Sequence, residues 1–181
     1  MQERLCICAA SPTYDLPTRL VLVMHRCELK KTTATGPLAL LTLPNSELRT
    51  HGYRERPLDL GDLDVPGRRV LLLFPRGNAR PLDRGWLEQD GRPITLVVPD
   101  GSWRQAAKMA RRLPGLDRVE VVKLPEGPPT RWGLRREPRA DGLATFEAIA
   151  RALGIIESKA VQAGMEAFFS LMVQTTLQSR G

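Results

Sequence analysis

Short aliphatic runs alternate with longer amphipathic ones along this chain. Residues 19–24 (RLVLVM), 70–74 (VLLLF), 94–98 (ITLVV) and 119–124 (VEVVKL) are rich in β-branched and aliphatic side chains, which predicts strands. The most apolar of them read as strands buried on both faces of a parallel sheet. Residues 46–51 form a weaker strand candidate. Helical periodicity appears at 102–113, at 143–153 with Thr145 near the cap, and at 157–178. In the last, Val161, Met165, Phe168 and Met172 make one stripe suited to a core or a dimer seam. Thr35 is placed to cap a short helix with Pro37 in its first turn. Strands alternating with helices predict an α/β fold, with a parallel sheet between helical layers in a three-layer sandwich. Residues 1–18 read as an irregular arm, and 52–69, rich in Pro, Gly and alternating charge, as a surface loop. At 181 residues a single domain 1–181 is expected.

The stretch 94–113 joins a strand to a helix through an expected sharp turn at Pro99-Asp100-Gly101. Ser102 and Gln105 have capping-box spacing, and Pro114-Gly115 stop the helix. An acid, a glycine and a hydroxyl thus sit where a strand's carboxyl end meets a helix N-terminus, the place where open α/β sheets bind ligands. Asp100 can cap the helix there or accept a substrate proton. Trp103 can pack on the sheet or stack on a base.

Charge narrows the class of partner. Lys plus Arg number 27 against 20 acids, giving +7, and the pI is about 9.9. Such a balance favours a polyanion, nucleic acid first, with plain solubility as the alternative. Arg104, Lys108 and Arg111 or Arg112 recur on one helix face, and Arg131, Arg135, Arg136 and Arg139 cluster around Gly133 and Pro138. Both groups suit solvated surface or phosphate contact. Aromatics at 5% argue against a stacking platform for single strands. No apolar run reaches the roughly eighteen residues of a membrane span. MQERLCICAASP lacks a signal peptide's apolar region, so a cytoplasmic location is expected. Walker, G-x-G-x-x-G, nucleophile-elbow and zinc-protease motifs do not occur. Cys6 and Cys8 form a C-x-C pair, whereas a structural zinc needs four ligands.

Several motifs in this order resemble the DTW-domain family, whose members include tRNA-uridine aminocarboxypropyltransferases. D-x-[ST]-W stands as Asp100-Gly101-Ser102-Trp103, and C-x-C as Cys6-Ile7-Cys8. H-x-x-E followed by T-G stands as His25, Glu28 and Thr35-Gly36. LLLFPRGNA matches the strand-F-P-x-x-x-A element. Leu134-Arg135 with Pro138, and then LATFEA, match the late L-R-x-x-P and L-x-T-x-E-A elements. The likeness runs from Cys6 to about Leu153.

The resemblance implies a SPOUT-like fold with a C-terminal trefoil knot around S-adenosylmethionine, the donor substrate. It implies transfer of the 3-amino-3-carboxypropyl group to nitrogen-3 of a uridine in tRNA, releasing methylthioadenosine, with Asp100 as base. Donor contacts would fall on Phe74, Pro75, Gly77 and Ala79, on Pro99, Gly101, Ser102 and Trp103, and on Leu134, Leu143 and Thr145. RNA contacts would fall on His25, Lys31, Arg104, Lys108 and Arg111, and on Arg131, Arg135 and Arg136. Three positions depart from the family pattern: Arg26 and Cys27 stand in place of the proline-containing H-P-x-E, and Ala34 in place of the asparagine of T-N-T-G. The family's further cysteines ahead of C-x-C have no counterpart here, so Cys6 and Cys8 are expected as a remnant without metal. Ribosomal RNA as substrate, methyl transfer, or a catalytically silent RNA-binding module of the same fold are the alternatives. Monomer and homodimer are both compatible with the sequence.

Overall fold

Strands that are aliphatic on both sides need cover on both faces, and this sheet has it. The computed structural model describes residues 6–133 and 142–179. Its elements run β1 (Arg19–His25), α1 (Leu38–Thr42), β2 (Ser46–His51), β3 (Arg69–Leu73), β4 (Arg80–Pro81), α2 (Arg84–Glu88), β5 (Ile94–Asp100), α3 (Trp103–Arg112), β6 (Glu120–Lys123), α4 (Thr145–Ile156) and α5 (Lys159–Gln178). Among the described residues the sheet has six strands in the order β2-β1-β5-β3-β6-β4, and every pairing is parallel.

Successive side chains of a strand point to opposite faces, so each strand feeds two cores. Leu20, Leu22, Leu71 and Leu96 meet Phe146, Met165 and Phe169 of α4 and α5 on one face. Val21, Val23, Leu72 and Val97 meet Ala106, Met109 and Ala110 of α3 on the other. The expected α/β architecture with helices on both faces is therefore what the chain forms. Val161, Met165 and Phe168 are buried in the first core and Met172 packs against it, so the stripe on α5 is core. None of the helices among the described residues is long and apolar enough to cross a membrane. The expected trefoil knot depends on the path of 134–141, which lies outside the described residues.

Four local expectations need correction. Pro99-Asp100 is not a turn: β5 runs through both, paired with Val23 and Met24 of β1. Pairing with β3 has ended at Val97, so proline lies where a missing N–H leaves no ladder open on that side. Thr35 does not cap the short helix, whose N-cap is Pro37 with no side-chain bond. Its hydroxyl instead accepts from the backbone N–H of Phe146 in α4, at 3.3 Å. The loop 52–69 is more than surface, because Leu60 and Leu63 are buried in the second core under α3. Finally, β4 and α2 have no counterpart among the expected elements. They are short, and Trp86 of α2 is held by the guanidinium groups of Arg69 and Arg80, 3.9 and 4.3 Å from its ring centre.

Candidate functional site

In an open parallel sheet, connections that leave in opposite directions open a crevice at the strands' carboxyl ends. Here β1 pairs outward with β2, β3 pairs outward with β6, and β5 lies between them. A cavity of about 1420 Å³ opens there, walled by the segments that follow β1, β3, β5 and β6 and by the start of α4. Its edge is built by capping chemistry. Ser102 accepts from the Gln105 N–H at 3.4 Å, and Gln105 Oε1 accepts from the Ser102 N–H at 2.8 Å. The start of α3 is thereby fixed directly after β5.

Asp100 ends the most buried strand and faces this cavity, yet it is only 5% exposed. The Thr145 hydroxyl donates to its Oδ1 at 2.6 Å. On its other side lies Gly36, where a Cβ would stand 2.5 Å from Oδ2 and 3.1 Å from Leu22 Cδ2. Only a residue without a side chain lets the loop after β1 approach so closely. The carboxylate thus sits between two segments far from it in the chain, the loop after β1 and the start of α4.

Sequence reasoning gave Glu147 no role. This carboxylate, 4% exposed, accepts from the Arg131 N–H at 2.8 Å, from the Ala144 N–H at 3.1 Å and from the Thr130 hydroxyl. Thr130 Oγ1 in turn accepts from the Trp132 N–H at 3.1 Å. Glu147 therefore ties the wall segment after β6 to the first turn of α4. It also seats Trp132, which lines the cavity and packs on Phe169 with ring centres 5.6 Å apart. The signal available in the sequence was the glutamate three residues into a helix start, half of a capping box.

With this geometry in view, the family comparison is decisive: the DTW domain matches residues 1–177. The chain belongs to the DTW-domain family. Among curated proteins and among solved structures none matches it.

Within this DTW domain, the D-x-[ST]-W block spans the end of β5 and the start of α3. Phe74, Pro75, Pro99, Gly101, Ser102, Trp103, Leu143 and Thr145 all line the cavity with Asp100. Trp103 both packs and lines, since its ring lies 6.1 Å from that of Phe74 and it borders the second core. Gly77 and Ala79 are not on the wall. The loop after β3 folds back, with the Ala79 N–H bonded to the Arg76 carbonyl at 2.8 Å and Arg76 to the Ala110 carbonyl at 3.2 Å, which buries Ala79 in the second core. Leu134, Arg135 and Arg136 lie outside the described residues.

The expected RNA contacts divide. Arg104 is exposed at the cavity wall, and Lys108 and Arg111 are exposed farther along α3. Arg131 is exposed next to buried Trp132, and Lys31 pairs with Glu28. His25 ends β1, where Gln105 Nε2 lies 3.1 Å from its Nδ1, and its ring sits 6.0 Å from that of His51 on β2.

Burial lowers the pKa of both histidines, helped by Arg26, Lys108 and Lys31 around His25, with Glu28 opposing, and by His25 and Lys108 around His51. Both then titrate below the ordinary value of 6.5. An unfolded chain takes up these protons first as pH falls, so the stability they contribute is present near pH 7 and lost on acidification through the folded pKa values. The urea midpoint should therefore drop between about pH 7 and pH 5.5, and the drop should shrink in the double variant His25→Gln, His51→Gln. An equal drop in that variant would assign the effect to other groups.

Cys6, Cys8 and Cys27 are exposed. A backbone hydrogen bond from Cys8 lowers the Cys6 thiol pKa, while the Cys6 side chain raises that of Cys8. Among the described residues no group of three or more His, Cys, Asp or Glu could hold a metal ion. The two thiols alone do not match a four-ligand zinc site.

Proposed function

We propose that this DTW domain transfers the 3-amino-3-carboxypropyl group of S-adenosylmethionine to nitrogen-3 of a uridine in tRNA, releasing methylthioadenosine. The observation that carries this reading is a buried carboxylate, Asp100, held by Thr145 and Gly36 on the wall of a large cavity. The cavity fits the donor. At about 1420 Å³ it exceeds the roughly 300–1,000 Å³ of an ordinary small-molecule site, which leaves room for an extruded base beside the donor. Phe74, Val98, Leu124, Trp132 and Ala148 supply apolar wall for an adenosine, and Glu28 supplies acid for a cation.

When bound, S-adenosylmethionine supplies a carbon chain on a positively charged sulfur, a leaving group that needs no protonation. Asp100 accepts the proton leaving uracil nitrogen-3 as the nitrogen–carbon bond forms and the carbon–sulfur bond breaks, the electron pair staying on sulfur. Thr145 and Gly36 hold the carboxylate in one orientation, a positioning contribution. Arg104, Lys108 and Arg111 give α3 a basic face for RNA phosphates, which set register and not sequence. The same reading takes the chain as one domain acting in the cytoplasm, with a C-terminal trefoil knot around the donor.

Nucleoside mass spectrometry after incubation with bulk tRNA and the donor tests this. The expected product is uridine heavier by one aminocarboxypropyl group, with one methylthioadenosine per event. A methylated nucleoside, or none modified, overturns the proposal. Gly36→Ala should lower the transfer rate between about 10- and 100-fold, because the added methyl must push the carboxylate out of place. A transfer assay under single-turnover conditions reads this, and an unchanged rate would mean that the position of the carboxylate does not matter.

A further inference from the structure

The turn after β2 carries an exposed ring beside an exposed guanidinium. β1 and β2 end side by side, with His25 opposite His51, and the Arg26 N–H donates to the His51 carbonyl at 2.8 Å. Gly52, at φ 109°, then carries the chain across the end of β1. A Cβ there would stand 3.2 Å from His25 Nε2 and 3.3 Å from Arg26 Cγ, so this close crossing favours glycine. It sets Tyr53, 44% exposed, against Arg26, whose guanidinium lies 5.9 Å from the ring centre. Arg54 and Arg56 follow on the surface around Glu55.

This corner is continuous with the cavity. Gly101 lines the wall, and a Cβ on it would lie 3.5 Å from His25 Cβ. Gln105 Nε2 of α3 stands 3.1 Å from Nδ1 of the same histidine. Lys108, a turn farther along α3, lies within electrostatic reach of both histidine rings. Arg104, Lys108 and Arg26 thus mark a path from the cavity wall to Tyr53. Other arginines of β1 and β2 are neutralised: Arg49 pairs with Asp62 and Glu47, and Arg19 with Glu47. Among the described residues the three cations of the path form no ion pair.

Exposed cations beside an exposed aromatic ring suit a polyanion whose bases are unstacked. A duplex offers the phosphates but keeps its bases to itself. Resting on the RNA reading of the site, we infer that the corner of Arg26 and Tyr53 binds an unpaired nucleotide flanking the modified uridine. Its base stacks on the Tyr53 ring, and Lys108 holds a phosphate between that base and the cavity.

Filter binding of bulk tRNA and of an RNA duplex, across a salt series, tests the assignment on the full chain. Tyr53→Ala should weaken tRNA about 5- to 100-fold, the loss of one base–aromatic stack, and leave the duplex nearly unchanged. Tyr53→Phe should keep the wild-type affinity. Lys108→Gln should weaken tRNA and lower the salt slope of its binding by about 0.7–0.9, one phosphate contact. Calorimetric affinity for S-adenosylmethionine should stay close to wild type in all three, which shows them folded. An unchanged tRNA affinity in Tyr53→Ala overturns the proposal, and so does an equal weakening of tRNA and duplex. An unchanged salt slope in Lys108→Gln also overturns it. A wild-type chain that does not bind tRNA removes the RNA reading of the site together with this one. A wild-type chain that modifies tRNA, with variants that bind it as tightly, removes this surface only.

Discussion

Asp100→Asn is expected to cut transfer about 10²- to 10⁴-fold, the range of a positioned general base, while S-adenosylmethionine affinity stays close to wild type. The substitution isolates chemistry from architecture. Asparagine keeps a carbonyl oxygen able to accept from Thr145, whose hydroxyl now sits 2.6 Å from Oδ1. It also keeps the volume that Gly36 accommodates. What it loses is the ability to take the nitrogen-3 proton. Single-turnover transfer to tRNA, paired with calorimetric donor binding, reads the two effects separately. A variant that transfers at more than a tenth of the wild-type rate would end the assignment of Asp100 as base.

The largest loss of stability is expected from Glu147→Ala. This buried carboxylate accepts from two backbone N–H groups and the Thr130 hydroxyl. Truncation leaves those donors without it, at about 1–3 kcal/mol for each buried group left unsatisfied. A total of about 3–5 kcal/mol would be a large part of the 5–15 kcal/mol of a typical domain. Denaturant midpoints measure it. Glu147→Gln, which keeps one oxygen acceptor, should recover roughly half. A loss below about 1 kcal/mol for the alanine variant would show that water replaces the carboxylate. Donor affinity should fall as well, because Trp132 is seated through the same contacts.

The readable parts of this fold are those whose physics is local. β1, β3, β5 and β6 announce themselves because strands buried on both faces must be aliphatic throughout. β4 and α2 escape because two residues ending in Pro81 and five starting at Arg84 are too short to show a period. The site is legible in one piece and hidden in the others. Asp100, Ser102 and Trp103 are visible at a strand-to-helix junction. The end of β5 was misread because Pro99 usually breaks a strand, and only the absence of β3 beside it explains why it does not. Thr35 looked like the cap of its own short helix and serves another helix instead, an assignment made by tertiary packing. Glu147 matched a half-pattern of helix starts, and its partners at 130 and 131 could not be read from spacing.

The bond from Thr35 to the Phe146 N–H spans 111 positions, and the one from Thr145 to Asp100 spans 45. Contacts between such distant positions carry the loop-closure entropy of everything between them. Until α4 docks on the sheet, Asp100 has no Thr145 and Glu147 holds no wall. Docking of α4 therefore completes two parts of the site at once, the setting of Asp100 and the wall that carries Trp132.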